Sequence, residues 1–390
     1  MEPLIVFGLA LACGLAFVNG LNDASHSIAT VIATRALSPV KAVFLTAICN
    51  MLGPFLFTTA VAATIGTGIL AGTALTPRTI IVAMASAILL IFAATRAGLP
   101  LSSSNAMVGG LLGAGVAGYG LTVVLLPGSA TVISVATAGI AGALAGALVL
   151  GSVTVVFHGA ARSGLLLGAI CGAAVTIPAL MVAGVIHLSG LLAVILFIVI
   201  SPVFGMTVAF LIDLLYIHIF AHAYQPRMKR IYQPFHVFAC LIQAAAHGGN
   251  DGMNSIGLMT ALLVAAGVLG SFTVPAWVAL IAALSIGLGT CFGGWNVVEK
   301  MARGLTKIRP YQGFCAATAS SGTLVMVTLF GIPVSSTHAI NGAIIGVGAT
   351  RGKNAVNWEA VREMVIAWII TIPLAFICAF AGYFLLSAFI

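Results

Sequence analysis

The chain has 390 residues, 61% hydrophobic and 6% charged, and its 15 Lys and Arg outnumber 7 Asp and Glu for a net charge of +8. A water-soluble domain carries roughly a quarter of its residues as charges, so this composition excludes one. The mean hydropathy of +1.22 puts the chain in a bilayer, and the lack of long alternating segments favours helices over a barrel.

Apolar stretches of about 20 residues, long enough to cross the hydrocarbon core, recur from end to end, roughly ten to twelve in all. The first opens MEPLIVFG, without a basic leader region or clear cleavage site, and reads as a retained span. It runs into NGLNDASHSIAT, which carries Asp23 and His26. After ICNMLG, with Asn50, comes GLPLSSSNAMVGGLLGAG from Gly98. The stretch from 126 to 230 reads as connecting spans closed by a basic loop. Near its end Asp213, His218 and His222 form D-x4-H-x3-H. His218 and His222 lie one helical turn apart, but no further strong ligand accompanies them, so no metal is expected there.

Basic residues gather at Arg227, Lys229 and Arg230, and again at Lys300, Arg303, Lys307 and Arg309. The positive-inside rule makes both clusters cytoplasmic. Both chain ends lack Lys and Arg, which predicts extracytoplasmic termini and an even number of crossings. Between the clusters lies HGGNDGMNSIG, with His247, Asn250, Asp251 and Asn254, and beyond them GIPVSSTHAINGAIIGVG from Gly331. Glu299, Glu359 and Glu363 stand among basic residues and read as solvated charges. The seven cysteines are scattered without C-x-x-C spacing and read as packing residues.

The chain repeats itself. Superposing Asp23 on Asp251, 228 positions on, also superposes Asn22 on Asn250, Gly20 on Gly248 and Ser27 on Ser255. Pro100 and Pro333 are 233 apart, and at that offset Ser102 meets Ser335 and Ser103 meets Ser336. Two motifs recurring in one order at nearly one spacing mark a duplicated unit. The units are a first repeat core at 1–125, scaffold spans and a basic loop at 126–230, and a second repeat core at 231–390. Gly- and Pro-interrupted spans at matching positions of two halves point to a secondary transporter. The N-D motifs are expected to unwind their spans, and each P-x-S-S to open a new helix with Pro in its first turn.

Helix starts bearing hydroxyls can hold a tetrahedral oxyanion without Arg or Lys. Ser102, Ser103, Ser104, Ser335, Ser336 and Thr337 offer such hydroxyls, and Asn22, Asn250 and Asn254 add amides, as substrate-binding candidates. A carboxylate buried among them is costly and repels an anion. Asp23 and Asp251, with Asn22 and Asn250, are therefore candidates for a coupling cation, Na⁺ or H⁺, travelling with the anion. His26, Asn105, His247 and His338 are candidate gating or proton-linked groups. An anion channel would want basic residues in its pore, which these motifs lack. An intramembrane hydrolase would need Ser336 and His338 to meet, yet two positions apart on a helix they face different ways. No enzyme activity and no cofactor is expected.

The four motifs resemble the inorganic phosphate transporter (PiT) family, with G-x-N-D-x-x-N in each half and P-V/L-S-S/T-S/T-H downstream. The phrases VVEKMARGLTKIRP and NWEAVREMVIAWIITIPLA extend the likeness. The resemblance implies an all-α polytopic membrane protein of about 12 spans, in two inverted repeats with broken helices and re-entrant Pro-Ser hairpins. It also implies a homodimer in the plasma (cell inner) membrane that takes up inorganic phosphate with a cation, with no nucleic-acid partner. The second half follows the pattern. In the first, His26 and Asn105 replace the family's Asn and His, and Asn50 and Ala317 stand where the family carries glutamates. These departures bear on the coupling ion and leave sulfate as the alternative anion.

Overall fold

In the computed structural model, residues 2–97, 101–156, 161–188, 190–293, 306 and 308–387 are described, apart from the side chains of 24–27, 29 and a few positions elsewhere. Pro100, Glu299, Lys300, Arg303, Lys307 and the side chains of His26 and Ser27 therefore lie outside the described residues. The elements are helical. The first half comprises α1 (Pro3–Ala33), α2 (Pro39–Leu56), the short α3 (Ala60–Thr67), α4 (Pro77–Arg96) and α5 (Ser103–Tyr119). Then come α6 (Ser129–Val156), α7 (Ala161–Val182) and α8 (Gly190–Ile219). The second half comprises α9 (Gln225–Ala265), α10 (Ala276–Phe292), α11 (Pro310–Leu329), α12 (Ser336–Ala349) and α13 (Trp358–Ser387).

Proline sets several of the starts. Pro3, Pro39, Pro77 and Pro310 occupy first turns, where the missing N–H removes no helical bond and φ is already helical. At α4 the Thr76 hydroxyl also accepts from the Thr79 N–H at 3.3 Å, satisfying one unpaired donor. Among the described residues, seven helices are long and apolar enough to cross a membrane: α1, α2, α4, α6, α7, α8 and α13. The 41 residues of α9 would extend about 60 Å at about 1.5 Å per residue, twice the hydrocarbon thickness.

The two N-D motifs lie within unbroken helices, α1 and α9, so the expected unwinding does not occur. Asn and Asp loosen a helix when their side chains bond the local backbone. Here those side chains bond other helices and the segments just before them instead, and the helical ladder stays intact. The glycines serve close approach. Gly20 lies directly against the Ile286 carbonyl of α10, and Gly248 directly against the Asn50 carbonyl of α2. Small residues that bring helix backbones together are how membrane helices gain packing energy without a hydrophobic drive. Thus α1 packs on α10 and α9 on α2, while the two motif helices also touch each other.

The breaks fall at the Pro-Ser segments. Only a few residues join α4 to α5 and α11 to α12, and Leu101 and Ile332–Ser335 are buried. Pro333 precedes the helix and its cap, Ser335, instead of entering the first turn. Proline favours extended backbone in the residue before it, which keeps Ile332 out of a helix. Gly331 reverses the chain after α11 with φ +69°, a conformation that glycine adopts without strain. Downstream, α5 packs against α13 and α12 against α8. Asn50 and Ala317 also prove to occupy unrelated places. Asn50 is on α2 against α9, whereas Ala317 is on α11, the counterpart of α4 at the Pro offset.

Candidate functional site

Asp23 on α1 and Asp251 on α9 are both buried, with 1% and 0% exposure, at the level where α5 and α12 begin. Ser103 donates to Asp23 Oδ2 at 2.8 Å, and Ser336 to Asp251 Oδ2 at 3.3 Å. The next residue at each helix start reaches across to the other half. Ser104 donates to Asp251 Oδ1 at 2.6 Å, and Thr337 to Asp23 Oδ1 at 3.5 Å. The pattern is crossed: each carboxylate takes one hydroxyl from its own half and one from the other. The positive ends of the α5 and α12 dipoles add to this, since helix N-termini favour negative charge. Asn254 joins with its amide, 2.9 Å from Ser104 Oγ and 3.4 Å from Asp251 Oδ1.

The asparagine before each aspartate also bonds the segment that precedes the helix start of its half. Asn250 accepts from the Val334 N–H at 3.0 Å and donates to the Ile332 carbonyl at 2.9 Å. Its side chain thus brackets Pro333 as a peptide group in a sheet would. It satisfies two backbone groups that broken helix leaves unpaired far from water, a condition for irregular backbone in a membrane. Thr328 also accepts from Asn250, at 3.1 Å. In the first half Asn22 donates to the Leu101 carbonyl at 3.3 Å and accepts from Thr95 at 2.9 Å. It donates to Asp23 Oδ1 as well, at 2.8 Å.

His247 supplies the countercharge that the sequence seemed to lack. Its Nε2 is 3.0 Å from Asp251 Oδ2 and 3.5 Å from Asp23 Oδ2. The other nitrogen, Nδ1, faces Asn50 Oδ1 at 2.9 Å, while the Asn50 amide donates to Thr290 at 2.9 Å. The Thr290 hydroxyl is committed to the Ile286 carbonyl at 2.8 Å. Asn50 must therefore present its oxygen to His247, and Nδ1 carries a proton. A neutral ring would then point a lone pair at two carboxylates. As imidazolium it makes two charge-assisted contacts instead. With the Nε2 proton gone, Asp23, His247 and Asp251 would be close enough to share one ion, their ligand atoms lying within 4.8 Å of one another.

The other expected residues fall elsewhere. Ser102 and Ser335 are helix caps, and Ser102 Oγ accepts from the Asn105 N–H at 3.1 Å. Asn105 is buried on α5, one residue past Ser104. The His338 ring packs on Trp368 of α13, with centroids 4.2 Å apart. Asp213 turns inward to Thr350 at 2.6 Å and Gln312 at 3.2 Å, while His218 and His222 are exposed, so that trio does not assemble. Sequence reasoning missed Thr95, Thr290 and Thr328. Thr95 and Thr328 share the 233-residue offset of the prolines and could have been found by extending that register.

A helical protein with several membrane-spanning helices and a buried polar cluster, built where two duplicated motifs meet, has the architecture of a membrane transporter. The sequence profile of the phosphate transporter family matches residues 19–164 and 135–379, and the chain belongs to that family. A probable low-affinity inorganic phosphate transporter of Rhizobium meliloti (strain 1021) is 35% identical over 98% of this chain and 96% of its own. One from Bacillus subtilis (strain 168) is 27% identical over 98% of each. Among solved structures, one named the sodium-dependent phosphate transporter shares the fold, with TM-score 0.71 and 22% identity over the full length of both chains.

Proposed function

We propose that this multi-pass membrane protein is a symporter that moves inorganic phosphate together with Na⁺ or H⁺. The crossed hydroxyl pattern carries this reading. Ser103, Ser104, Ser336 and Thr337 hold the two carboxylates, and they are also the donors a tetrahedral oxyanion needs. An anion that takes these hydroxyls leaves Asp23 and Asp251 short of partners in a dry site, where an unpaired charge is expensive. A cation beside the carboxylates offsets that loss, so anion and cation bind as a pair. The family and the relatives' names supply phosphate as the anion, and the sodium dependence in the fold neighbour's name favours Na⁺ as the cation.

In this reading Asp23 and Asp251 form the cation centre, an arriving Na⁺ displacing the Nε2 proton of His247 that lies between them, Asn254 and the four hydroxyls contact phosphate, and Asn22 and Asn250 position the hairpins. The hairpins are re-entrant, the repeats inverted, and the spans number about 12. The protein acts as a homodimer in the plasma membrane, with both termini extracytoplasmic. No enzymatic step or resident cofactor is needed. In proteoliposomes, labelled phosphate should accumulate only under an imposed Na⁺ or H⁺ gradient, and Asp251→Asn should abolish accumulation. Full gradient-driven uptake by that variant would overturn the assignment.

A further inference from the structure

A second polar feature lies apart from the carboxylates, where the C-terminal end of α8 meets the starts of α9 and α11. A cavity of about 600 Å³ opens there, lined by Tyr216, Ile217, Lys229, Tyr232, Arg309 and Tyr311 among others. Its aromatic wall is ordered: Tyr216 stacks on Tyr311 with centroids 5.0 Å apart and meets Tyr232 edge-on at 5.8 Å. Tyr216 is 7% exposed, yet its hydroxyl has no hydrogen-bond partner among the described residues. A buried donor left unpaired is costly and calls for an acceptor. The two cations on the rim, Lys229 and Arg309, belong to the clusters that the positive-inside rule makes cytoplasmic. The nearby acid of α8, Asp213, is held by Thr350 and Gln312 and does not line the cavity.

The cavity is also greasy on one side. Ile217 lines it and is 36% exposed, and Ile219 and Phe235 continue the outer apolar surface at 62% and 59%. A free phosphate would gain nothing from that wall. We infer that the cavity holds the headgroup of an anionic phospholipid from the cytoplasmic leaflet. Its phosphate diester sits between Lys229 and Arg309, an oxygen meets the Tyr216 hydroxyl, and its chains follow the apolar face beyond Ile217. Basic pockets between membrane helices suit such headgroups, and each Lys or Arg near an anionic surface adds to the attraction.

The test uses the full-length protein in nanodiscs of phosphatidylcholine doped with phosphatidylglycerol, followed by native mass spectrometry of the lipid retained. Wild-type protein should keep phosphatidylglycerol in preference to phosphatidylcholine. Each of Lys229→Gln and Arg309→Gln should cut that preference about fivefold, and the pair roughly 25-fold. Both side chains are exposed, so neither change threatens the fold. Tyr216→Phe keeps the ring stack and should lower retention a few-fold, about the worth of one hydrogen bond. Unchanged retention in the Lys229→Gln and Arg309→Gln variants would overturn the proposal. Displacement of the lipid by added inorganic phosphate would overturn it too, by assigning the cavity to the free anion.

Discussion

The two halves build one device from unequal parts. Each aspartate takes a hydroxyl from its own half and one from the other, yet the contacts to Asp251 from His247 and from the opposite half, at 3.0 and 2.6 Å, are shorter than those to Asp23, at 3.5 Å in both cases. The position that is His247 in the second half is Asn19 in the first. Asn19 turns its amide to the Asp251 carbonyl at 3.3 Å instead of to its own aspartate. A single cationic side chain therefore serves a site with two carboxylates. Gene duplication gives symmetric scaffolding, but one ring can stand between two aspartates only if one copy provides it.

The largest effect should come from erasing that inequality. His247→Asn makes the second motif match the first and leaves two buried carboxylates facing each other. Removing one partner from a buried charge group costs about 3–5 kcal/mol. The variant should unfold at markedly lower temperature in detergent, and Na⁺ should raise its Tm by more than it raises that of the wild type. Equal Tm and equal Na⁺ response would mean that the ring is not the countercharge.

Next comes the difference between the two asparagines. Asn250→Ala strips partners from both the Val334 N–H and the Ile332 carbonyl, whereas Asn22→Ala strips one described backbone group, the Leu101 carbonyl. At about 1–3 kcal/mol for each buried group left unpaired, and with Asp23 replaced by Asn in both proteins so that the Asn22 contact to its carboxylate does not count, Asn250→Ala should destabilise by roughly twice as much as Asn22→Ala. Thermal unfolding of the two variants side by side checks this. Similar losses would place the bracket around Pro333 on the same footing as the single bond to Leu101.

Much of this arrangement was legible before any coordinates. The duplication, the two aspartates, the hydroxyls at helix starts and the bilayer setting follow from residue types at fixed offsets, because a site made by repetition writes itself twice. What was not legible depends on direction. Asn22 and Asn250 read as ligands because an amide beside a buried carboxylate looks like one. Only the extended segment at Pro333 shows that the backbone also uses the amide of Asn250. His247 read as an optional gate because its two carboxylates come from helices 228 positions apart in register. Sequence shows their pairing but not their 4.8 Å neighbourhood. The unbroken α9 was hidden for a similar reason: glycine spacing signals a break and a close helix contact alike.

The smallest difference, between the two crossing hydroxyls, is the sharpest test of how the halves share the work. Ser104 reaches Asp251 at 2.6 Å and also accepts from Asn254, while Thr337 reaches Asp23 at 3.5 Å, the outer limit of a hydrogen bond. Ser104→Ala removes a short charge-assisted bond and the acceptor for Asn254, which at about 1.4 kcal/mol or more should raise the KM for phosphate about tenfold. Thr337→Val keeps the shape and removes the longer contact, so its KM should rise only about two- to threefold. Initial rates of labelled phosphate uptake across a range of phosphate concentrations give both values. The reverse order would show that the hydroxyls bind phosphate in a geometry opposite to the one in which they hold the carboxylates. The unequal contacts described above would then belong to the scaffold alone, and the coupling between anion and cation would have to run through Asp23.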